Sequence, residues 1–269
     1  MIFDLGKVEE DFDTRYVDHI SNRYRISGAA HLARYYWVEK YVVNKTVLDA
    51  GCGSGYGDNI LAKTSKKVVG IDISENAINY ARKKYKRPNL EYYVADLTKG
   101  IDLKDKYDIV ISFNVIEHIN DVGKYYDSLV GALNDAGILI IETPNRLVSD
   151  AFEPSWNPFH VQELSPDELK NGLTKYFNEV QILGFSLKDK KKEEIFKKDI
   201  EFVKRIRRDS IKTYLPYWLR FIIKNMRFYL FYVFMRNKLF YVSDFEFTGE
   251  KVDTAGGIIA ICKSKKRIK

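Results

Sequence analysis

Cysteine is nearly absent from this chain, with Cys52 and Cys262 the only two among 269 residues. They lie far apart and in no C-x-x-C or metal-ligand spacing, so no disulfide framework is readable and a reducing compartment is expected. Long apolar runs are missing too. The longest unbroken one, Phe228 to Met235, has eight residues, far short of the roughly twenty that a bilayer-spanning helix needs. The first residues, Met1-Ile2-Phe3-Asp4-Leu5-Gly6-Lys7, have acids where an export signal has a basic start and a long apolar stretch, and no export signal is read there. Histidine is also sparse, at four residues, and no His/Asp/Glu group along the chain has convincing metal spacing, so a metal-independent chemistry is expected. A cytoplasmic location follows, with peripheral attachment to the inner face of a membrane left open. The length suits one α/β domain with an insertion and is too short for two typical domains plus linkers.

The net charge is +7 and unevenly spread. Between Lys188 and Val242 sixteen Lys or Arg face six Asp or Glu, so this one segment carries more than the whole excess. Any anionic partner is expected to meet the protein there.

The stretch that organises the chain is Val47-Leu48-Asp49-Ala50-Gly51-Cys52-Gly53-Ser54-Gly55-Tyr56-Gly57. An apolar strand ends in a carboxylate, and glycine then occupies every second position. Glycines 51, 53 and 55 suit positive φ or close backbone approach, and their N–H groups are expected to be free to face a polar ligand at the start of a helix from Asp58 to Lys63. A dinucleotide fingerprint begins the same way, but it wants its third glycine at position 56, which is Tyr56. An acid two residues ahead of the loop is a poor neighbour for pyrophosphate and a good acceptor for an ammonium group. The ligand expected is cationic and free of phosphate.

The D-x-G-x-G-x-G run from Asp49 to Gly55 resembles the first motif of class I S-adenosylmethionine-dependent methyltransferases. Val68-Val69-Gly70-Ile71-Asp72-Ile73-Ser74 is a second buried strand ending in an acid, placed as the family places the carboxylate that takes both ribose hydroxyls. Leu90 to Leu97 closes on Ala95-Asp96-Leu97, where the family's third-strand acid meets the adenine amino group. The resemblance implies S-adenosyl-L-methionine as cofactor, held by Asp49, Gly51, Cys52, Gly53, Gly55, Asp72, Ile73, Asp96, Leu97 and Asn114. Arg34, in the fragment His31-Leu32-Ala33-Arg34-Tyr35, resembles the arginine that ubiquinone-biosynthesis O-methyltransferases place on the methionine carboxylate, since a guanidinium offers a carboxylate two parallel hydrogen bonds. Its plain alternative is a solvated arginine.

Strand and helix patterns then alternate: strands at 68–73, 90–94, 107–113 and 137–142, helices from Glu75 to Lys86 and from Val122 to Leu133, and a helix from Gly28 to Val42 ahead of them. Ser74 reads as an N-cap, and Ser165-Pro166-Asp167-Glu168 as a capping box with proline at the first helical position. The expected fold is α/β, a doubly wound, Rossmann-like, seven-stranded and mostly parallel sheet whose last strand is antiparallel. The sixth strand is read at 178–187 and the seventh only at 256–262. The expected division is therefore an N-terminal helical flank at 1–45, a methyltransferase domain at 46–187 and 251–264, and a basic, aromatic helical insertion at 188–250.

The exit of the fourth strand, Asn114-Val115-Ile116-Glu117-His118, lies beside the transferable methyl group in the family. His118 suits a general base because its ordinary pKa is near neutral; its alternative is a structural role at the helix start. His160, in the loop before Ser165, is the preferred proton acceptor, with a backbone-binding loop histidine as its alternative. Within the insertion, Arg220, Lys224 and Arg227 share one helical face among aromatics. A lid or homodimer face and a membrane-surface helix over 214–242 are the two favoured roles, with nucleic acid third. The acceptor expected is a sugar hydroxyl of a surface glycan or lipid-linked saccharide, and next a quinone or lipid phenol. The rival classes are a nicotinamide-dependent oxidoreductase and a non-catalytic protein that kept the cofactor fold.

Overall fold

Short runs of Val, Ile and Leu, each closed by an acid or a polar turn, form the strands on which this fold is built. A computed structural model describes residues 26–101, 103–149, 160–190, 192, 194 and 241–266. Helix α1 (Ile26–Val42) leads into β1 (Thr46–Ala50), α2 (Tyr56–Leu61), β2 (Lys67–Asp72), α3 (Glu75–Lys84), β3 (Leu90–Val94) and β4 (Tyr107–Phe113). A single 3-10 turn (Ile116–His118), α4 (Val122–Ala132), β5 (Leu133–Pro144), α5 (Arg146–Ser149), α6 (Pro166–Leu173) and β6 (Phe177–Leu187) follow. The chain closes with β7 (Phe245–Thr248) and β8 (Gly257–Lys265).

The strands make one sheet in the order β3-β2-β1-β4-β5-β8-β6-β7. The first five run parallel, β8 lies antiparallel between β5 and β6, and β7 is antiparallel on the outer edge of β6. The expected seven-stranded sheet is therefore present with one strand added. That strand, Phe245–Thr248, falls inside the 188–250 segment read as helical insertion; its four residues are too few to show an alternating pattern, and pairing with β6 supplies what the local sequence does not. Residues 195–240, which include the 214–242 partner segment up to Phe240, lie outside the described residues.

Period-two alternation divides the core into two layers. Val47, Val68, Ile109 and Ile111 face α1, α2 and α3, whereas Leu48, Val69 and Val110 pack with Tyr125 and Leu129 of α4 and Leu169 and Leu173 of α6. Both faces being covered is why the strands are apolar almost throughout. The flank is part of this core: Leu32, Tyr35, Val38 and Val42 of α1 are buried, while Tyr36 faces solvent. Two helix starts form as their sequences dictate, the Ser74 hydroxyl accepting from the Ala77 amide and Ser165 and Glu168 closing a reciprocal box. Right-handed crossovers carry the chain from β1 outward to β3 and back to β4. The crevice at the carboxyl ends of β1 and β4 is thus the topological switch point, where such sheets bind ligands.

Gly57 in α2 tests how tightly α1 is seated. Alanine in a helix is ordinarily better than glycine by about 1 kcal/mol, but a Cβ here would lie 2.0 Å from Cζ of the buried Tyr35 ring. Overpacking of this kind costs about 1–3 kcal/mol, so Gly57→Ala is expected to lower the melting temperature by a few degrees. A rise in melting temperature would show that α1 does not pack there.

Candidate active site

The glycine loop leaves β1 and is tied at once to the end of β2. The Gly51 and Cys52 amides donate to the Ile71 carbonyl at 2.8 and 3.0 Å, and the Gly55 amide to the Cys52 carbonyl at 3.1 Å. The Gly53 amide donates to Asp72 Oδ2 at 2.9 Å. The expectation of free loop amides is thereby corrected: these four are committed inside the protein, and α2 behind them has only six residues. A phosphate would find no row of donors here. The glycines are required for another reason, since Gly51 and Gly55 have φ of 93° and 79°, and a Cβ on Gly51 would lie 2.2 Å from Val115 Cγ2 at the exit of β4.

Asp72 accepts from the Gly53 amide and, at 2.8 Å, from the Ser74 amide. A carboxylate has about four acceptor directions, so two remain for a pair of hydroxyls. Beside it Ile73 is 70% exposed, a large apolar side chain offered to a flat ring. At the end of β3, Asp96 Oδ1 accepts from the Thr98 amide and hydroxyl at 2.9 and 2.7 Å, with Lys99 Nζ 3.1 Å from Oδ2. These contacts hold the Asp96 carboxyl down to about 2, so it is ionised and only accepts. Leu97 is buried in the core with Leu48 and Ile71, and its side chain serves packing. Cys52 likewise turns its thiol inward, where burial keeps it protonated.

Asp49 lies beneath the loop and is wholly buried. Its Oδ2 accepts from the Tyr35 hydroxyl at 2.8 Å, and Asp58, also fully buried, faces it from α2. Burial pushes Asp49 up to about 6, with hydrogen bonds from Tyr35 and Asp58 pulling it back and the charge of Asp72 adding to the rise. Asp58 is raised well above the carboxylate range by burial and by the neighbouring Asp49 charge. Two carboxyl groups this close cannot both ionise cheaply; a protonated Asp58 donating to Asp49 satisfies both. Asp49 therefore offers no carboxylate oxygen to solvent, and its Tyr35 contact seats α1.

Asn114 has φ of 54°, rare for a residue other than glycine. Its amide donates to the Glu142 carbonyl at 3.0 Å, while its Nδ2 is buried without a hydrogen-bond partner among the described residues. Arg34 approaches Glu142 Oε1 with Nη2 at 2.8 Å and stacks its guanidinium 4.5 Å from the centre of the Phe185 ring. Its Nε and Nη1 are buried with no hydrogen-bond partner among the described residues. Arg34 is therefore not the solvated arginine of the plain reading.

The 3-10 turn after β4 brings the two histidines together. Glu117, 1% exposed, accepts from the Thr143 hydroxyl at 3.0 Å, and its carbonyl accepts from the Val161 and Gln162 amides at 2.9 and 3.3 Å. Gln162 Nε2 donates to the Ile119 carbonyl at 2.6 Å. This docking sets His160 edge-on to His118, ring centres 5.0 Å apart, with His160 Nδ1 2.6 Å from Glu163 Oε1. Burial pushes Glu117 up to about 7, the Glu142 charge adding to the rise and hydrogen bonds to its own main chain and to Thr143, with nearby His160, opposing it. Ligand atoms of Glu117, His118 and His160 all lie within 4.8 Å of one another. The fold thus assembles a group that chain spacing does not display.

Residues 42–199, more than half of the chain, match a family model described as a methyltransferase domain. The chain belongs to the S-adenosylmethionine-dependent methyltransferases. It is 37% identical over 127 residues to a probable S-adenosylmethionine-dependent methyltransferase of Mycobacterium tuberculosis, covering 46% of this chain and 45% of that one. A ubiquinone biosynthesis O-methyltransferase of Bradyrhizobium diazoefficiens is 30% identical over 143 residues, covering 48% of this chain and 55% of its own. The chain thus spans about half the length of the curated relatives it matches. Among solved structures, a Thermotoga maritima protein described as a possible histamine N-methyltransferase superposes with a TM-score of 0.55 at 15% identity, over 88% of this chain and 89% of that one, and this likeness bears on the fold alone.

S-adenosylmethionine is the methyl donor of this family, and the cradle fits it. A phosphate-poor loop, an Asp72 with two open acceptor directions, an exposed Ile73, an ionised Asp96 and unpartnered nitrogens on Asn114 and Arg34 match a ribose, an adenine and an amino acid in turn. Tyr35, Asp58, Glu142 and Glu163 are the site's neighbours that sequence reasoning missed. Asp58 alone left a trace, as an acid in the first turn behind a glycine loop.

The Asp49 shift has a measurable consequence. A carboxyl whose folded pKa is raised from 3.8 to about 6 contributes stability that is full below pH 4 and lost as pH rises through 6, about 3 kcal/mol in all. In protein free of cofactor, Asp49→Asn is expected to gain several degrees in melting temperature over wild type at pH 7.5 and about a third as much at pH 4.5. An equal difference at both pH values would refute the assignment.

Proposed function

We propose that this methyltransferase acts on a hydroxyl, and that the acceptor is a sugar of a surface glycan or a lipid-linked saccharide. The observation that supports a hydroxyl is the Glu117–His118–His160 group, set on the turn that follows Asn114 and backed by Glu163. When bound, the cofactor supplies a sulfonium-activated methyl group. The chain's own task is then to align the acceptor oxygen in line with that methyl and to ease the loss of the hydroxyl proton. An amine or thiolate acceptor would have less need of such a group.

In this reading Asp72 takes the ribose hydroxyls, Asp96 the adenine amino group, and Arg34 the methionine carboxylate through Nε and Nη1. A quinone or lipid phenol is the second acceptor class, favoured by the ubiquinone biosynthesis O-methyltransferases among the relatives. Among the described residues no helix is long and apolar enough to cross a membrane. Attachment of segment 214–242 to an anionic membrane surface belongs to this proposal, supported by its basic and aromatic composition. A homodimer through the same segment is the competing use, and nucleic acid the least favoured partner.

His160→Ala tests the reading. Loss of a group that assists proton removal is expected to slow methyl transfer by about 10²–10⁴-fold, while S-adenosylmethionine affinity stays near the wild-type value. The assay is transfer of radiolabelled methyl to lipid-linked saccharide and to demethylated quinone. Full activity in the variant would remove His160 from the mechanism, and transfer to amines alone would remove the hydroxyl.

A further inference from the structure

Resting on the O-methylation reading, we propose that Glu117, His118 and His160 hold a divalent first-row cation, and that this cation binds the acceptor's hydroxyl oxygen. Two imidazoles and one carboxylate form a mixed nitrogen and oxygen donor set that suits Mn²⁺, Fe²⁺, Co²⁺ or Zn²⁺ better than Ca²⁺. Three protein ligands leave coordination positions open for substrate.

The geometry supports this beyond mere proximity. Ligand atoms in a tetrahedral site with bonds of roughly 2.1 Å stand about 3.4 Å apart, so a group already within 4.8 Å closes by side-chain rotation. Glu163 adds an independent observation. Its carboxylate lies 2.6 Å from His160 Nδ1, and an ionised carboxylate only accepts, so Nδ1 carries the proton and the Nε2 lone pair is the one left to face a cation. A carboxylate behind a histidine is the arrangement that orients metal-binding imidazoles. Thr143 does the same for Glu117, donating to Oε2 at 3.0 Å. The main-chain bonds from Val161 and Gln162 to the Glu117 carbonyl hold the two ligand-bearing segments in register. His118 is exposed, so an ion has a route in from solvent.

Coordination would lower the pKa of the acceptor hydroxyl, as it does for bound water. The hydroxyl proton leaves to solvent water, the oxygen's electron pair forms the new C–O bond, and the C–S bond breaks with its pair remaining on sulfur. No oxidant or reductant is needed, so the cation acts as a Lewis acid only.

The test begins with the full chain stripped by a chelator and dialysed, then titrated with Co²⁺ by calorimetry and visible absorption. One equivalent per chain is expected, with absorption bands of nitrogen-ligated Co²⁺. Glu117→Gln and His118→Ala are expected to weaken Co²⁺ binding at least 100-fold, and Glu163→Gln, which acts through His160, by roughly 10–100-fold. All three variants are expected to bind S-adenosylmethionine as wild type does, which separates loss of the ion from loss of the fold. Absence of stoichiometric Co²⁺ binding by the wild type, or undiminished methyl transfer to a hydroxyl acceptor by the stripped protein, would overturn the cation proposal while leaving O-methylation standing. Stoichiometric Co²⁺ binding without transfer to any hydroxyl would instead sink the O-methylation reading and keep the site as a metal site.

Discussion

The hydrogen bonds that fasten the glycine loop to the end of β2 are the constraint from which the rest of the site follows. They run from the Gly51 and Cys52 amides to the Ile71 carbonyl and from the Gly53 amide to Asp72. They leave the Gly51, Cys52 and Gly53 amides with nothing to offer a pyrophosphate, and they place an acid with open acceptor directions at the loop's mouth. That combination suits a nucleoside whose ribose meets a carboxylate and whose charged end is cationic. The buried Asp49–Asp58 pair below contributes negative potential without exposing a carboxylate to solvent, and Tyr35 couples it to α1.

The same strand ends that build the cradle also position the reaction side. Gly51 must be glycine because Val115 lies against it, and Val115 begins the turn that carries Glu117 and His118. The segment from His160 to Glu163 is bound to that turn by main-chain hydrogen bonds, so the histidine furthest away in sequence is held as firmly as the nearest. Asn114, strained between the two regions, joins them through its bond to the Glu142 carbonyl. Since Glu142 also meets Arg34, the helix ahead of β1, the cradle and the acceptor side form one connected structure.

Much of this was legible in the order of residues, because it depends on local rules. The apolar runs ending in Asp49, Asp72 and Asp96, the Ser74 cap and the Ser165–Glu168 box are each specified within a few positions, and the structure places strands and helices there within a few residues. What sequence could not show depends on contacts across the sheet. The Gly51, Cys52 and Gly53 amides read as free in one dimension and are bonded to β2 in three. Phe245–Thr248 is too short to read as a strand until β6 pairs with it. Glu117, His118 and His160 are scattered along the chain and come together when Val161 and Gln162 dock on the turn. Asp58 and Glu163 are ordinary surface-type acids by sequence, and only burial or a facing histidine gives them a role.

The central claim is that the loop is built for S-adenosylmethionine and against a dinucleotide. Calorimetric titration with S-adenosylmethionine, S-adenosylhomocysteine and NADH, side by side on the same preparation, tests it most directly. The account predicts saturable binding of the first two and none of NADH. Binding of NADH, or of none of the three, would contradict it.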